Sequence, residues 1–213
     1  MTQPSDIYAF LASKFSGPEP KVFLELGAHV GTDTIKLAAF PGVTIHAFEP
    51  DPDNDIPPLS NVVFNRAAIA AHDGEVQFRR SEWLEQSALG DAPWTCSGSI
   101  HEPTGHLSAY PAITFGDLIT VKAVTLDTYT REVARIDFIW ADVQGAERDM
   151  ILGGLEALKR TRYLYTEYCD TPLYEGQPSL TEIMALLPGW RILANWPSGE
   201  AYADVLLENE ALA

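Results

Sequence analysis

The stretch that most restricts the fold of this chain is Lys21-Val-Phe-Leu-Glu-Leu-Gly-Ala-His-Val-Gly-Thr-Asp-Thr34. Val22, Phe23, Leu24 and Leu26 form the short apolar run that a strand covered on both faces requires. Gly27 and Gly31 break it, and Ile35, Leu37 and Ala38 continue as a helix until Pro41-Gly42. Glycines at both ends of the turn permit positive φ and leave no Cβ between the backbone and a bound molecule. A second strand, Val43-Thr-Ile-His-Ala-Phe-Glu49, ends in a carboxylate 22 positions after Gly27 (49 − 27). That is the spacing at which a βαβ unit places an acid beside a ribose diol.

The turn also discriminates between nucleotides. A pyrophosphate needs the bare backbone of G-x-G-x-x-G, and Gly27-Ala-His-Val-Gly31 has no middle glycine. Glu25 would repel phosphate but suits an ammonium group, such as that of the methionine half of S-adenosylmethionine. The expected site therefore has Glu25 near the amino group and Glu49 accepting from both ribose hydroxyls. Gly27, Ala28, Gly31, Thr32 and Pro50 complete the candidate cofactor set. Either acid alone could be an ordinary strand-end residue on an acidic protein; the pair with two glycines at βαβ spacing carries the reading.

A chain of 213 residues suffices for one domain, 1–213, with no second unit required. Fourteen Lys+Arg against thirty Asp+Glu give a net charge of −16, which disfavours nucleic acid and anionic membrane as partners. Cys96 and Cys169 lack metal-ligand spacing and are read as reduced thiols. The N-terminus has no basic region followed by an apolar run, and no stretch reaches membrane-spanning length, so a cytoplasmic location is expected. Oligomeric state is not legible.

Residues 1–20 are expected to carry a helix from Ser5 to Phe15, with Ser5 as its cap, lying across the sheet or over the ligand. Pro50 to Pro58 is too proline-rich for a long helix. Asn61 to Ile69 reads as a third strand with its exit, and Glu75 to Arg79 as an alternating strand after the turn His72-Asp-Gly74. From 81 to 117 periodicity dissolves among tryptophans, two histidines and prolines, which points to an irregular substrate-side insertion forming an ordered lid. Strand returns at Leu118 to Thr125, followed by a short helix from Leu126. Ile136 to Asp142 is another buried strand ending in an acid, followed by a helix from Ala146 to Leu158. Tyr163 to Glu167 repeats the strand-acid pattern, and Ser179 with Glu182 forms a capping box. Trp190 to Ala194 and Ala203 to Leu207 form a hairpin that closes a mostly parallel sheet with one antiparallel strand. Four strands thus end in acids, and open α/β sheets bind ligands at strand carboxyl ends.

Taken together, Leu26-Gly-Ala-His-Val-Gly31, His46-Ala-Phe-Glu-Pro50, Val124-Thr-Leu-Asp127 and Ile136-Asp-Phe-Ile-Trp-Ala-Asp-Val-Gln-Gly-Ala-Glu147 resemble the FkbM-type class I S-adenosylmethionine-dependent methyltransferases. The resemblance implies a Rossmann-like, doubly wound α/β fold: a seven-stranded, mostly parallel sheet with an antiparallel last strand and helices on both faces. It also implies S-adenosylmethionine as cofactor and methylation of a hydroxyl on a sugar or other natural product. By position, Glu25, Gly27 and Gly31 match the cofactor turn, Glu49 the ribose acid, and Asp142 the acid beside the reactive methyl. His29 replaces a usual asparagine, Ala141 a common lysine, and Gln144 a common glutamate. Without that lysine, Asp142 loses a candidate charge partner.

A hydroxyl acceptor must lose its proton, so Asp142, Glu167, His101 and His106 are candidate bases, with Asp142 preferred over either histidine. Asp142, Glu167 and Asp170 would offer oxygen ligands to Mg²⁺, although no metal is expected. The βαβ opening would also serve a nicotinamide-dependent oxidoreductase, against which the missing glycine and the antiparallel finish argue. A non-catalytic nucleoside-binding module is the third reading.

Overall fold

The computed structural model describes residues 6–83, 94–198 and 202–213. Its main sheet uses β1 (Lys21–Leu26), β2 (Val43–Phe48), β3 (Val62–Asn65), β7 (Ile136–Ala141), β8 (Thr161–Tyr168), β9 (Trp190–Ser198) and β10 (Tyr202–Asn209). Their spatial order is β3-β2-β1-β7-β8-β10-β9. Only β10 runs against its neighbours, so the seven-stranded sheet with one antiparallel strand is borne out. Because β1 and β7 lie side by side, the chain crosses over between them, leaving a crevice above their carboxyl ends.

Helices cover both faces. On one side α1 (Ile7–Lys14) and α2 (Thr32–Ala38) bury Phe10, Leu11 and Leu37 against Phe23, Ile45 and Phe138. On the other, α5 (Glu147–Leu152), α6 (Leu155–Lys159) and α7 (Leu180–Leu186) pack Met150, Ile151, Leu158 and Ile183 on Leu24, Leu26 and Ile139. The short α4 (Leu126–Tyr129) adds Leu126 to that second core. The capping box of Ser179 and Glu182 at the start of α7 is present.

Several local readings need correction. Asp6 caps α1, its side chain accepting from the Ala9 N–H at 2.8 Å; Ser5 lies outside the described residues. That helix packs across the sheet, with Phe10 edge-on to Tyr163. The stretch Asn61 to Ile69 divides between two sheets, since β4 (Ala68–Ile69) leaves β3 to join β6 (Ile113–Val124) and β5 (Gly74–Trp83) in a separate three-stranded sheet. Long strands thus reach into the segment read as irregular from 81 to 117. A register shift between Arg79 and Ser81 broke the alternation that would have revealed them. What remains irregular there and is described spans 94–112, including the single-turn α3 (His106–Ala109). The helix expected from Ala146 to Leu158 is interrupted at Gly153-Gly154, where a Cβ on Gly153 would lie 2.2 Å from the Ala70 carbonyl oxygen.

Candidate active site

The two glycines of the first turn serve the fold before they serve any ligand. Gly27 has φ 88°, and a Cβ there would sit 1.9 Å from the carbonyl oxygen of Asp142. The glycine therefore lets β1 and the end of β7 meet, which places Asp142 beside the turn. Gly31, at φ 81°, faces Ile56 and Pro57 across a contact no side chain could share, and it does not line the crevice. The expected close approach of Gly31 to a ligand is not seen; its bare backbone accommodates the proline-rich loop instead.

Above the turn lies a cavity of about 220 Å³. Of the expected cofactor residues, Glu25, Gly27, Ala28, Thr32, Glu49, Pro50 and Asp142 all line it. The buried Glu49 carboxylate is aligned by the backbone: Oε2 accepts from the His29 N–H and Oε1 from the Asp51 N–H, both at 2.8 Å. The Asn54 side chain adds a longer bond of 3.3 Å to Oε1. Burial raises the Glu49 pKa, and these donors partly offset it. Glu25 is 1% exposed, and its Oε2 meets no hydrogen-bond partner among the described residues. Burial pushes its pKa up to about 8.

The loop after Glu49 has no helix, as its prolines dictate, and arginines hold it instead. Arg80 on β5 binds Asp51 at 2.8 Å and Asp53 at 2.5 Å, while the Arg66 guanidinium meets the carbonyls of Asp51 and Asn54 and the carboxylate of Asp55. The small sheet thereby fixes the segment that supplies a donor to Glu49.

A second cavity, about 960 Å³, adjoins the first, and Asp33, Cys96, Trp140, Asp142 and Gln144 line both. Asp142 stands at this junction, exposed to the cleft rather than packed in the core. Burial among surrounding protein raises its pKa to about 6; the Gln144 amide, donating to Oδ1 at 2.5 Å, opposes the rise, and Asp204 and Asp33 add to it. Gln144 is held at φ 49° by its carbonyl, which accepts from Ser99, and by its side-chain oxygen, which accepts from Tyr174 at 2.8 Å. Where the resemblance leads one to expect a lysine, the chain has Ala141; the Gln144 amide, two residues past Asp142, is what contacts the acid.

Glu167 also lines the second cavity. It lies opposite Asp204 across the β8–β10 pairing, and its pKa is driven up to about 9, first by burial and then by Asp142 and its other acidic neighbours. His101 is not at the site. It lines neither cavity, and its Nε2 is bonded to Asp149 at 2.8 Å on the flank of α5, which raises its pKa. His106 does reach the second cavity, 3% exposed, its ring within 5.5 Å of those of Tyr110, Phe115 and Tyr174 and its pKa lowered by burial. Asp170 is exposed and lines neither cavity, so it does not join Asp142 and Glu167. Among the described residues no three His, Cys, Asp or Glu side chains are grouped to hold a metal.

Sequence reading missed Asp33, Trp140, Tyr165, Cys96 and Asp204 as site residues and named Gln144 only as a departure from the family pattern. Asp33 follows the Gly27–Gly31 turn and Gln144 stands two residues past Asp142, a signal that was available. Asp204 and Cys96 come to the cavity from distant segments and carried none. Cys96 is a free thiol 3.6 Å from His29, whose Nε2 is 2.6 Å from the Thr95 hydroxyl.

Residues 25–194 match the family model of the methyltransferase FkbM domain. Over 221 aligned positions the chain is 38% identical to the 2-O-methyltransferase NoeI of Sinorhizobium fredii (strain NBRC 101917 / NGR234), covering 99% of this chain and 88% of that protein. Among solved structures, an rRNA methylase from Streptococcus thermophilus shares the fold at 12% identity, with a TM-score of 0.51 and 98% of each chain covered. The N-terminal domain of EvdMO1, in the presence of SAH and D-fucose, gives 14% identity and a TM-score of 0.48, covering 98% of this chain and 83% of that one. With the family model spanning most of its length, from β1 into β9, this chain belongs to the FkbM-domain methyltransferases and is an S-adenosylmethionine-dependent methyltransferase.

Proposed function

We propose that the protein methylates a sugar hydroxyl, with Asp142 taking the hydroxyl proton. The observation that carries this is the position of Asp142 in the wall common to both cavities, where donor and acceptor must meet.

The smaller cavity fits the donor on chemical grounds. Glu25 has a buried, unpaired oxygen that an ammonium group would satisfy. Glu49 would hold the ribose: a carboxylate has about four acceptor sites, and backbone and Asn54 donors occupy three. A grip on both hydroxyls therefore displaces the Asn54 contact, the longest of the set. Bound there, the donor supplies a methyl group on a positively charged sulfur.

In the larger cavity, Trp140 and Tyr165 present rings 4.5 Å apart, and Tyr110 and Tyr202 add two more phenols. Aromatic faces with a few convergent acceptors suit a sugar, whose C–H faces pack on rings while its hydroxyls donate to carboxylates. The acceptor oxygen forms a new C–O bond as the C–S bond breaks, the sulfur keeps that electron pair, and the proton passes to Asp142. Gln144 orients the receiving carboxylate. With Glu167 drawn towards its protonated form, Asp142 is the acid free to accept near neutral pH. The O-methyltransferase relative supports a hydroxyl as the group modified.

The test is transfer of labelled methyl from S-adenosylmethionine to neutral sugars, with calorimetric titration of S-adenosylhomocysteine alongside. Submicromolar to micromolar binding that NAD does not displace, together with label on a sugar oxygen, is the expected result. Displacement by NAD, or cofactor binding with no transfer to any hydroxylated acceptor, would sink it.

A further inference from the structure

The second cavity is chemically one-sided. Among the described residues, Asp142, Glu167 and Asp204 line it, and no lysine or arginine does. Asp33 also reaches it and is paired with Lys36 at 2.9 Å. The one histidine in the wall, His106, is disposed by burial to remain uncharged. Residues 1–5, 84–93 and 199–201, which lie outside the described residues, contain Glu85, Asp91 and Glu200 and no lysine or arginine. Sites that take phosphate-bearing ligands supply guanidinium, ammonium or helix N-terminal N–H groups. Two helices meet the cavity with their first turns: α2 brings Asp33 to it, and at the start of α3 the N–H groups of Gly105 and His106 are already given to the Leu173 carbonyl, both at 2.9 Å.

The size of the space adds a second constraint. At about 960 Å³ it is at the upper end of small-molecule sites (~300–1,000 Å³), large enough for a sugar with its neighbours attached. Its rings, Trp94, Tyr110, Trp140, Tyr165 and Tyr202, offer stacking without charge.

Resting on the sugar O-methylation reading above, we propose that the acceptor is a sugar already separated from any nucleotide or phosphate carrier, so that glycosyl transfer supplies the substrate and methylation follows it. A diphosphate entering this wall would lie against Asp142 and Asp204, beside a Glu167 drawn towards its protonated form, with no basic side chain among the described lining residues to meet it. An uncharged glycan gives up nothing there, and its hydroxyls meet acceptors. Glu167 faces Asp204 across paired strands, so a ligand carrying hydroxyl donors meets acceptor oxygens there, whereas an anion meets the Asp204 carboxylate.

The experiment offers the enzyme labelled S-adenosylmethionine with a panel of hexoses and 6-deoxyhexoses, each as its methyl glycoside and as its nucleoside diphosphate. Transfer to at least one methyl glycoside, with kcat/KM about a hundred-fold above that of the matching diphosphate, is expected. Equal or faster transfer to the diphosphate overturns the proposed order and leaves sugar methylation standing. Label on neither form, with S-adenosylhomocysteine still bound, overturns the sugar reading and this proposal with it. The variant pair Glu167→Gln and Asp204→Asn separates charge from architecture. Replacing both acids is expected to narrow the preference at least several-fold, with Asp204→Asn the larger contributor near neutral pH; an equal loss on both acceptor forms would assign these acids a purely structural role and refute the electrostatic account.

Discussion

The two cavities that meet at Asp142 treat their acids in opposite ways. In the smaller one, Glu49 is fixed by two backbone N–H groups and the Asn54 amide, and the loop behind it is clamped by Arg66 and Arg80. In the larger one, Glu167 and Asp204 face each other without a basic partner in the wall. A carboxylate held by fixed donors is pre-aligned for a single ligand geometry. Carboxylates left without cations hold a poorly solvated field that selects ligands by charge. On the proposed assignment, the first half of the cleft reads shape and the second reads charge.

The strongest way to break that division is at the shared wall. Asp142→Asn should lower kcat by about 10²–10⁴-fold, while calorimetry shows S-adenosylhomocysteine still bound; a variant that retains activity would remove Asp142 as base. Glu49→Ala comes next and should act on the donor side only. Cofactor affinity is expected to fall by roughly 1–3 kcal/mol, with the KM for the acceptor unchanged.

The titration behaviour sharpens the contrast. Activity should rise through about pH 6 as Asp142 ionises, and a flat acid limb in kcat would contradict this. Stability should move the other way. Glu147 is wholly buried and lifted to about 7, and Glu25 to about 8, each above its unfolded value. The stability tied to their extra bound protons is full below the unfolded pKa and is lost as pH rises through the folded one. Melting temperature is therefore expected to drop between pH 5 and 8.5. Glu147→Gln should flatten that slope, recovering about 1–2 kcal/mol at the alkaline end. The smallest effect is expected from Arg80→Ala, which loosens the loop behind Glu49. Weakening of S-adenosylhomocysteine by about 1 kcal/mol or less, without change in acceptor KM, would confine its role to the first cavity.

Legibility follows the same boundary. Glu25, Gly27, Ala28, Thr32, Glu49 and Pro50 were found in the chain because one βαβ unit sets their spacing locally. Asp142 followed from a second strand-acid turn, and topology put the two turns side by side. In the larger cavity, Glu167 was named from its strand-end position and His106 as a candidate base, while the rest was readable only as an insertion. Its charge comes from residues such as Glu167 and Asp204, which become neighbours through the register of β8 against β10, and no periodicity announces that pairing. His101 shows the converse. A histidine in the right segment was a reasonable candidate, but a single partner, Asp149, accounts for its placement.

The order of apolar runs, glycine turns and strand-end acids determined by itself that this chain folds as a mostly parallel sheet with a cavity at its crevice, because those signals are encoded over a few residues and fixed by backbone sterics. Which acids lack counter-charges, which histidine reaches the cavity, and that Gly27 is spent on the contact with the Asp142 carbonyl were decided only when distant strands came into register. Burial and charge at a point depend on everything that packs around it, and a linear sequence does not specify that set until the chain has closed upon itself.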